Sequence, residues 1–114
     1  MSVQNIEQRQ LDLERQFAGL YHNPNTGFTW QFIPIPVPDR EGNLVVADTN
    51  RPVGMQQYKY ELLIAEGDRT FLDLIYLHIP KRDQHEFWLK DNVLLIEYVN
   101  YPHPEKQYLA LNKA

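Results

Sequence analysis

The chain of 114 residues contains no cysteine and a single serine, Ser2. The lack of cysteine excludes a disulfide framework and thiolate chemistry. One serine beside the N-terminus effectively excludes a hydrolase with a serine nucleophile. The five glycines are dispersed among turns, so there is no glycine-rich phosphate loop. No stretch approaches the roughly 20 apolar residues of a membrane-spanning helix. Several large enzyme and transporter classes are therefore unsupported.

Basic charge is also sparse. The formal net charge is −4, and Lys81 and Arg82 form the only adjacent basic pair. Nonspecific nucleic-acid binding is therefore disfavoured. The polar residues 1–10 lack the apolar core of a secretion signal, and a cysteine-free chain suits a reducing compartment. We expect a single cytoplasmic domain spanning residues 1–114.

The histidines do not have metal-ligand spacing. They contain no His-x-His or His-Glu-x-x-His pattern, so no metal site is predicted. His78 lies in phase with Leu74 and Tyr76, and it could face a barrel interior and hold a ligand carboxylate. The alternative is a hydrogen-bonded core or rim histidine. His85 and His103 are expected at the surface.

Carboxylates within two apolar strands are the other candidates for chemistry. Asp73 lies between leucines, and Glu97 lies between Ile96 and Tyr98. An inward carboxyl group would have a raised pKa, which is typical of a general acid. The alternation of each strand instead favours carboxylates that point to water. We therefore predict no catalytic residue and leave enzymatic activity as an open, less favoured alternative.

A helix is predicted over about Val3–Leu20. Apolar residues recur there at spacings of three and four, and Gly19 is a plausible end. The resulting stripe could pack against the rest of the chain, or it could form a homodimer. The stripe comprises Val3, Ile6, Gln10, Leu13, Phe17 and Leu20, all of which except Gln10 are apolar.

From Gly27 onward, short alternating runs separated by turn residues indicate antiparallel strands. After Phe32 the apolar phase flips and prolines alternate with apolar residues through Pro38, which predicts a bend or an edge. Further strands are expected at 44–47, 58–64, 71–79, 85–89, 93–99 and 107–111. The predicted fold is mainly β, an antiparallel up-and-down barrel or strongly curved sheet of about seven strands with one N-terminal helix. Residues 1–22 form the helix and junction, and residues 27–112 form the β meander.

Two segments resemble lipocalin-like (calycin) barrel proteins. The junction at residues 17–23, FAGLYHN, is similar to the entry of a short helix into the first strand of such barrels. Residues 87–96 and 106–111 are similar to the closing strands, which end in a tyrosine-containing strand. The resemblance implies a lipocalin-like barrel that binds small hydrophobic ligands.

Three shorter segments resemble the T-type chromophore lyases of phycobiliproteins, which share that barrel. They are the junction at 18–23, the turn at 41–43, and the strands at 57–62 and 71–76. That family is longer, and its first strand carries basic and histidine positions that are lacking here, so no binding residue is transferred. The resemblance implies a tetrapyrrole-like ligand and a phycobiliprotein lyase-like activity.

Aromatic residues form 12% of the chain and include seven tyrosines, which suits a pocket for a planar molecule. The leading hypothesis is non-enzymatic binding of a small hydrophobic or planar ligand, for which a tetrapyrrole is one candidate. No resident cofactor is predicted. The alternative is a protein-interaction module with a self-filled barrel, which uses the proline-rich edge and the N-terminal helix. The predicted lining is Trp30, Phe32, Tyr58, Tyr60, Tyr76 and His78.

Overall fold

The computed structural model describes residues 3–36, 39–48, 56–100 and 103–114. One helix precedes a series of strands and a short 3₁₀ turn at Glu66–Asp68. No helix within these ranges has the length and apolar character needed to cross a bilayer. The elements are α1 (Val3–Phe17), β1 (Gly19–His22), β2 (Phe28–Phe32), β3 (Gly42–Asp48), β4 (Gln56–Ile64), β5 (Thr70–Tyr76), β6 (Arg82–Lys90), β7 (Val93–Asn100) and β8 (His103–Lys113).

The strands form a closed antiparallel barrel in which each strand pairs with the next and β8 pairs with β1. The predicted fold class is confirmed, with eight strands rather than about seven. The additional strand is β1, which lies within the segment predicted to be a junction. Its four residues are too few to show an alternation, and it is held in place by pairing with β2 and β8.

The barrel has two distinct ends because the connections alternate between them. We call the end that contains the β4–β5 turn the helix end, since α1 is attached there. Gln10 Nε2 of α1 donates to the carbonyl oxygen of Leu62 at 2.7 Å, and Arg9 pairs with Asp68. We call the opposite end the open end, and it contains the β1–β2 turn (23–27) and the β5–β6 loop (77–81).

The helix ends at Phe17, three residues before the predicted boundary at Leu20. Gly19 has φ +146°, a conformation that side chains rarely adopt, so the expected role of this glycine as the stop is confirmed. Lys113 Nζ donates to the carbonyl oxygen of Gln16 at 2.7 Å and satisfies one of the last helical acceptors. Leu20 belongs to β1 and is exposed.

The helix end is filled by aromatic rings. Phe17 is completely buried, and its ring centroid lies 4.6 Å from that of Phe32, 5.0 Å from Phe87 and 5.8 Å from Tyr60. Leu13 also packs against this core. The apolar stripe of α1 is therefore used, at these described positions, to close the helix's own barrel.

Several strand boundaries differ from the predictions. β2 ends at Phe32, and the Ile33 N–H donates one more backbone hydrogen bond to Asn43. The chain then leaves the sheet, as predicted. Residues 37–38 of the proline-rich segment lie outside the described ranges. β5 ends at Tyr76 rather than residue 79. β6 begins at residue 82 rather than 85, and β8 begins at residue 103 rather than 107. The tight turn predicted between β6 and β7 is confirmed, since Asp91 and Asn92 have φ of 52° and 66°.

Candidate ligand site at the open end

The predicted lining residues share one phase of strand alternation, and the barrel places five of the six on its inner face. Phe32 and Tyr60 are completely buried, and Trp30 and Tyr58 pack against the same core. Tyr76 is directly opposite Tyr58 in the β4–β5 register and therefore shares its face. The predicted convergence of even-numbered aromatic side chains is present in the fold.

His78 is placed differently. β5 ends at Tyr76, so His78 lies in the loop 77–81 and is exposed at the rim of the open end. It is neither an interior residue nor a core histidine. Its position beside Leu77 and Ile79 nevertheless keeps it next to the tyrosines.

Phe32 and Tyr60 lie in the filled helix end. Their ring centroids are 5.1 Å apart, and the Tyr60 hydroxyl donates to the carbonyl oxygen of Ile33 at 2.7 Å. Burial, with smaller contributions from the charges of Glu14 and Tyr21, raises the pKa of Tyr60 well above its ordinary value. These two side chains form the floor of the barrel interior and are closed to a ligand.

The accessible part of the set lies in a cleft of about 460 Å³ at the open end. Its walls come from the start of β4 and from the end of β5 with the following loop. The rings of Tyr58 and Tyr76 meet edge to face, with centroids 5.3 Å apart and planes at 86°. Leu77 and Ile79 are 43% and 52% exposed. The lining comprises Gln56, Gln57, Tyr58, Tyr76, Leu77, His78 and Ile79.

Hydrogen bonds fix the orientation of both tyrosines. The Tyr58 hydroxyl donates to Gln56 Oε1 at 2.7 Å, and the Tyr76 hydroxyl donates to Asp83 Oδ2 at 2.9 Å. The pKa of Tyr76 is raised, first by burial and then by the bond to Asp83 and its charge. Lys81 Nζ lies 5.0 Å from the centroid of the Tyr76 ring and 3.7 Å from Asp83 Oδ2. The two rings are therefore preorganised, with a cation over the Tyr76 ring.

His85 was expected at the surface, and this is wrong. It is half-buried on the inner face of β6, opposite Leu72 in the register with β5, and its Nδ1 lies 3.2 Å from the carbonyl oxygen of Glu97. β6 and β7 pair only over residues 87–90 and 93–96. The carbonyl oxygen of Glu97 therefore lies beyond the paired part of β7, and the imidazole of His85 takes the place of a backbone partner there. The inward position of Phe87 two residues later was the signal in the sequence that could have placed His85 inside.

The two strand carboxylates lie on the outer wall of the barrel. Asp73 is nevertheless only 4% exposed, because Arg82 Nε donates to its Oδ2 at 2.7 Å and covers it. Its Oδ1 has no hydrogen-bond partner among the described residues. Glu97 pairs with Lys106 at 3.3 Å. Neither carboxylate faces the cleft, so the hypothesis of an inward general acid is wrong.

The described residues contain no group of three or more His, Asp or Glu side chains that could hold a metal ion. Comparison with protein-family models, with characterised proteins and with solved structures finds no match to this chain.

Proposed function

We propose that the protein binds a small hydrophobic or planar ligand, without catalysis, in the cleft at the open end. The observation that carries this proposal is the preorganised pair formed by Tyr58 and Tyr76 beside exposed apolar side chains. A volume of about 460 Å³ lies within the range of small-molecule sites. Apolar walls with a few fixed polar groups are typical of such sites.

Different residues in and beside the cleft would contact different parts of the ligand. A flat ligand would lie against the exposed face of Tyr58 or Tyr76, where ring contacts favour planar molecules. Leu77 and Ile79 would remove its apolar surface from water. His78 at the rim and Lys81 beside Tyr76 would favour a ligand with an anionic group, such as a carboxylate.

Tryptophan fluorescence tests the proposal directly. The variant Trp88→Phe leaves Trp30, on the inner face near the open end, as the sole reporter, since the chain has two tryptophans. We expect at least one member of a panel of tetrapyrroles, carotenoids and fatty acids to quench Trp30 saturably. In this background Tyr58→Leu should weaken binding by roughly tenfold, because the loss of one ring contact is worth about 1.4 kcal/mol.

The matched control is Tyr108→Leu, which removes an exposed tyrosine from the outer wall. Its affinity for the same ligand should equal that of the parent variant. Absence of saturable quenching across the whole panel would refute ligand binding. Equal losses in the Tyr58 and Tyr108 variants would refute the assignment to the cleft.

The second candidate function is a protein-interaction module. It is favoured by the aromatic packing around Phe17, which fills the helix end with the protein's own side chains, and by exposure of Ile33 at the start of the proline-rich segment. Purification from cell extract separates the two functions. A ligand-binding protein should carry absorbance beyond that of its own aromatic residues, whereas an adaptor should retain another chain. The lyase-like activity implied by the sequence resemblance stays a further prediction.

A further inference from the structure

Strand β8 extends well beyond its neighbour β1. It pairs with β7 from Val93↔Asn112 to Val99↔Lys106 and, after a shift in register, again at Asn100↔His103. It pairs with β1 only at Lys113 and Asn112, because the chain leaves β1 after His22 and turns towards β2. Since β6 also stops pairing with β7 beyond Ile96, the open-end halves of β7 and β8 form a two-stranded ribbon. We call this ribbon, residues 97–100 and 103–110, the β7–β8 arm.

The backbone bonds at the end of β8 show which way its main-chain groups point. The Lys113 N–H donates to Asn92 on the β7 side, and the Ala114 N–H donates to Leu20 on the β1 side. Main-chain direction alternates along a strand, and the β7–β8 register has no shift between residues 106 and 112. The N–H and C=O groups of Lys106, Tyr108 and Ala110 therefore point away from β7, and no hydrogen bond to them occurs among the described residues.

An unpaired strand edge is a template for another strand, and two-stranded ribbons are only marginally stable by themselves. Native proteins often protect such an edge with a lysine. Lys106 lies on this edge with its side chain 69% exposed, but its Nζ turns back to its own arm, where it lies 3.3 Å from Glu97 Oε1. The edge at residues 106–110 is therefore accessible to an incoming backbone.

The side chains beside this edge are apolar and aromatic. Tyr108, the central residue of the three, is 52% exposed, and Trp88 is 42% exposed. Their ring centroids lie 6.1 Å apart on the outer wall. Exposed aromatic residues that touch one another beside an open edge are typical of an interface core.

We propose that a second copy of this chain pairs with the edge, as an antiparallel β8–β8 contact with its twofold axis at Tyr108. In this register Tyr108 of each copy lies opposite Tyr108 of the other, and Lys106 lies opposite Ala110. All three outward-pointing residues then exchange hydrogen bonds, and no like charges lie opposite one another. The Trp88–Tyr108 pairs of both copies meet on one face. The edge is self-complementary, as a twofold interface requires, which favours a second copy over an unrelated strand.

Cysteine substitution tests both the contact and its register, because the chain has no cysteine of its own. Cα atoms of an opposed hydrogen-bonded pair are about 5.5 Å apart, within the range of a disulfide. Tyr108→Cys should therefore give a covalent dimer under mild oxidation. Ala110→Cys is the matched control, since its two copies would be separated by roughly 14 Å along the strands. The double variant Lys106→Cys/Ala110→Cys should again cross-link.

Sedimentation velocity supplies the measurement without cross-links. The natural chain should show a monomer–dimer equilibrium between about 1 µM and 1 mM. Tyr108→Lys should be monomeric because it places two ammonium groups at the axis, whereas Gln31→Lys, on the outer wall of β2, should dimerise as the natural chain does. A natural chain that is monomeric throughout, or equal cross-linking of the Tyr108→Cys and Ala110→Cys variants, would overturn the proposal. Retained folding of each variant is checked by its circular dichroism.

Discussion

Replacement of Phe17 by alanine should remove the central side chain of the helix end. Phe17 is completely buried, and the rings of Phe32, Phe87, Tyr60 and Tyr21 surround it at centroid distances of 4.6–6.2 Å. A buried Phe→Ala change costs about 3–5 kcal/mol, since it loses transfer free energy and leaves a cavity. The upper part of that range is expected, because rings held by the barrel strands have little freedom to collapse into the space. The loss is about a quarter or more of the roughly 5–15 kcal/mol typical of a domain.

Urea unfolding, followed by far-ultraviolet circular dichroism, measures this loss as a change in midpoint at constant m-value. Phe17→Leu should cost less, about 1–2 kcal/mol, because it retains most of the volume and loses the edge-to-face contacts. Phe28→Ala is the control. Phe28 begins β2 at the open end and is exposed, so its loss should cost less than about 1 kcal/mol. If Phe17→Ala and Phe28→Ala cost the same, the helix does not plug the barrel as described.

Three further predictions concern Tyr60, and thermal unfolding checks all of them. Gly42→Ala would place a Cβ 2.6 Å from Cε1 of Tyr60 and 2.9 Å from the backbone oxygen of Ile33, so it should cost about 2 kcal/mol; an unchanged Tm would contradict this close approach. Tyr60→Phe removes the bond to Ile33 and should cost about 1 kcal/mol, whereas Tyr108→Phe should be neutral. Burial raises the pKa of Tyr60 above its ordinary value of 10.0 and that of Tyr21 to about 12. The unfolded chain therefore loses these protons first, and stability should be complete below pH 10 and decline as the pH rises towards 12. Tyr60→Phe should make this decline shallower, and an identical decline would argue that Tyr60 is not buried.

Alternation in the sequence was enough to predict the barrel, the helix and the shared inner face of Tyr58, Tyr60 and Tyr76. It was not enough to predict β1, because four residues are too few to show an alternation. The strand is instead defined by its pairing with β2 and with β8, which is far away in the sequence. The early start of β8 was missed for a different reason. Pro104 suggested a loop, yet proline is tolerated in edge strands, where its missing N–H need not bond.

The inward faces of the candidate residues were predicted from the sequence, but their accessibility was not. The alternation along a strand identifies which aromatic side chains face inward, but it does not predict how deeply each side chain is buried. The sealing of Phe32 and Tyr60 depends on Phe17, which reaches them from a separate element. The inward position of His85 depends on where β6 and β7 stop pairing, which is likewise a long-range property. The local sequence therefore predicted which residues face the barrel interior. It did not predict which part of that interior is filled and which part is accessible.

The filled end and the accessible end of the barrel interior differ in how much they contribute to stability. The completely buried rings lie at the helix end, whereas Tyr58 and Tyr76 are half-exposed and Leu77 and Ile79 are exposed at the open end. Since the stability lost on truncation follows the burial of the side chain, substitutions in the cleft should leave the barrel folded. Under the proposed function, a cleft variant that loses affinity but retains its urea midpoint has therefore lost a contact to the ligand. A Phe17 variant that loses affinity would instead have lost the packed aromatic rings beneath the cleft.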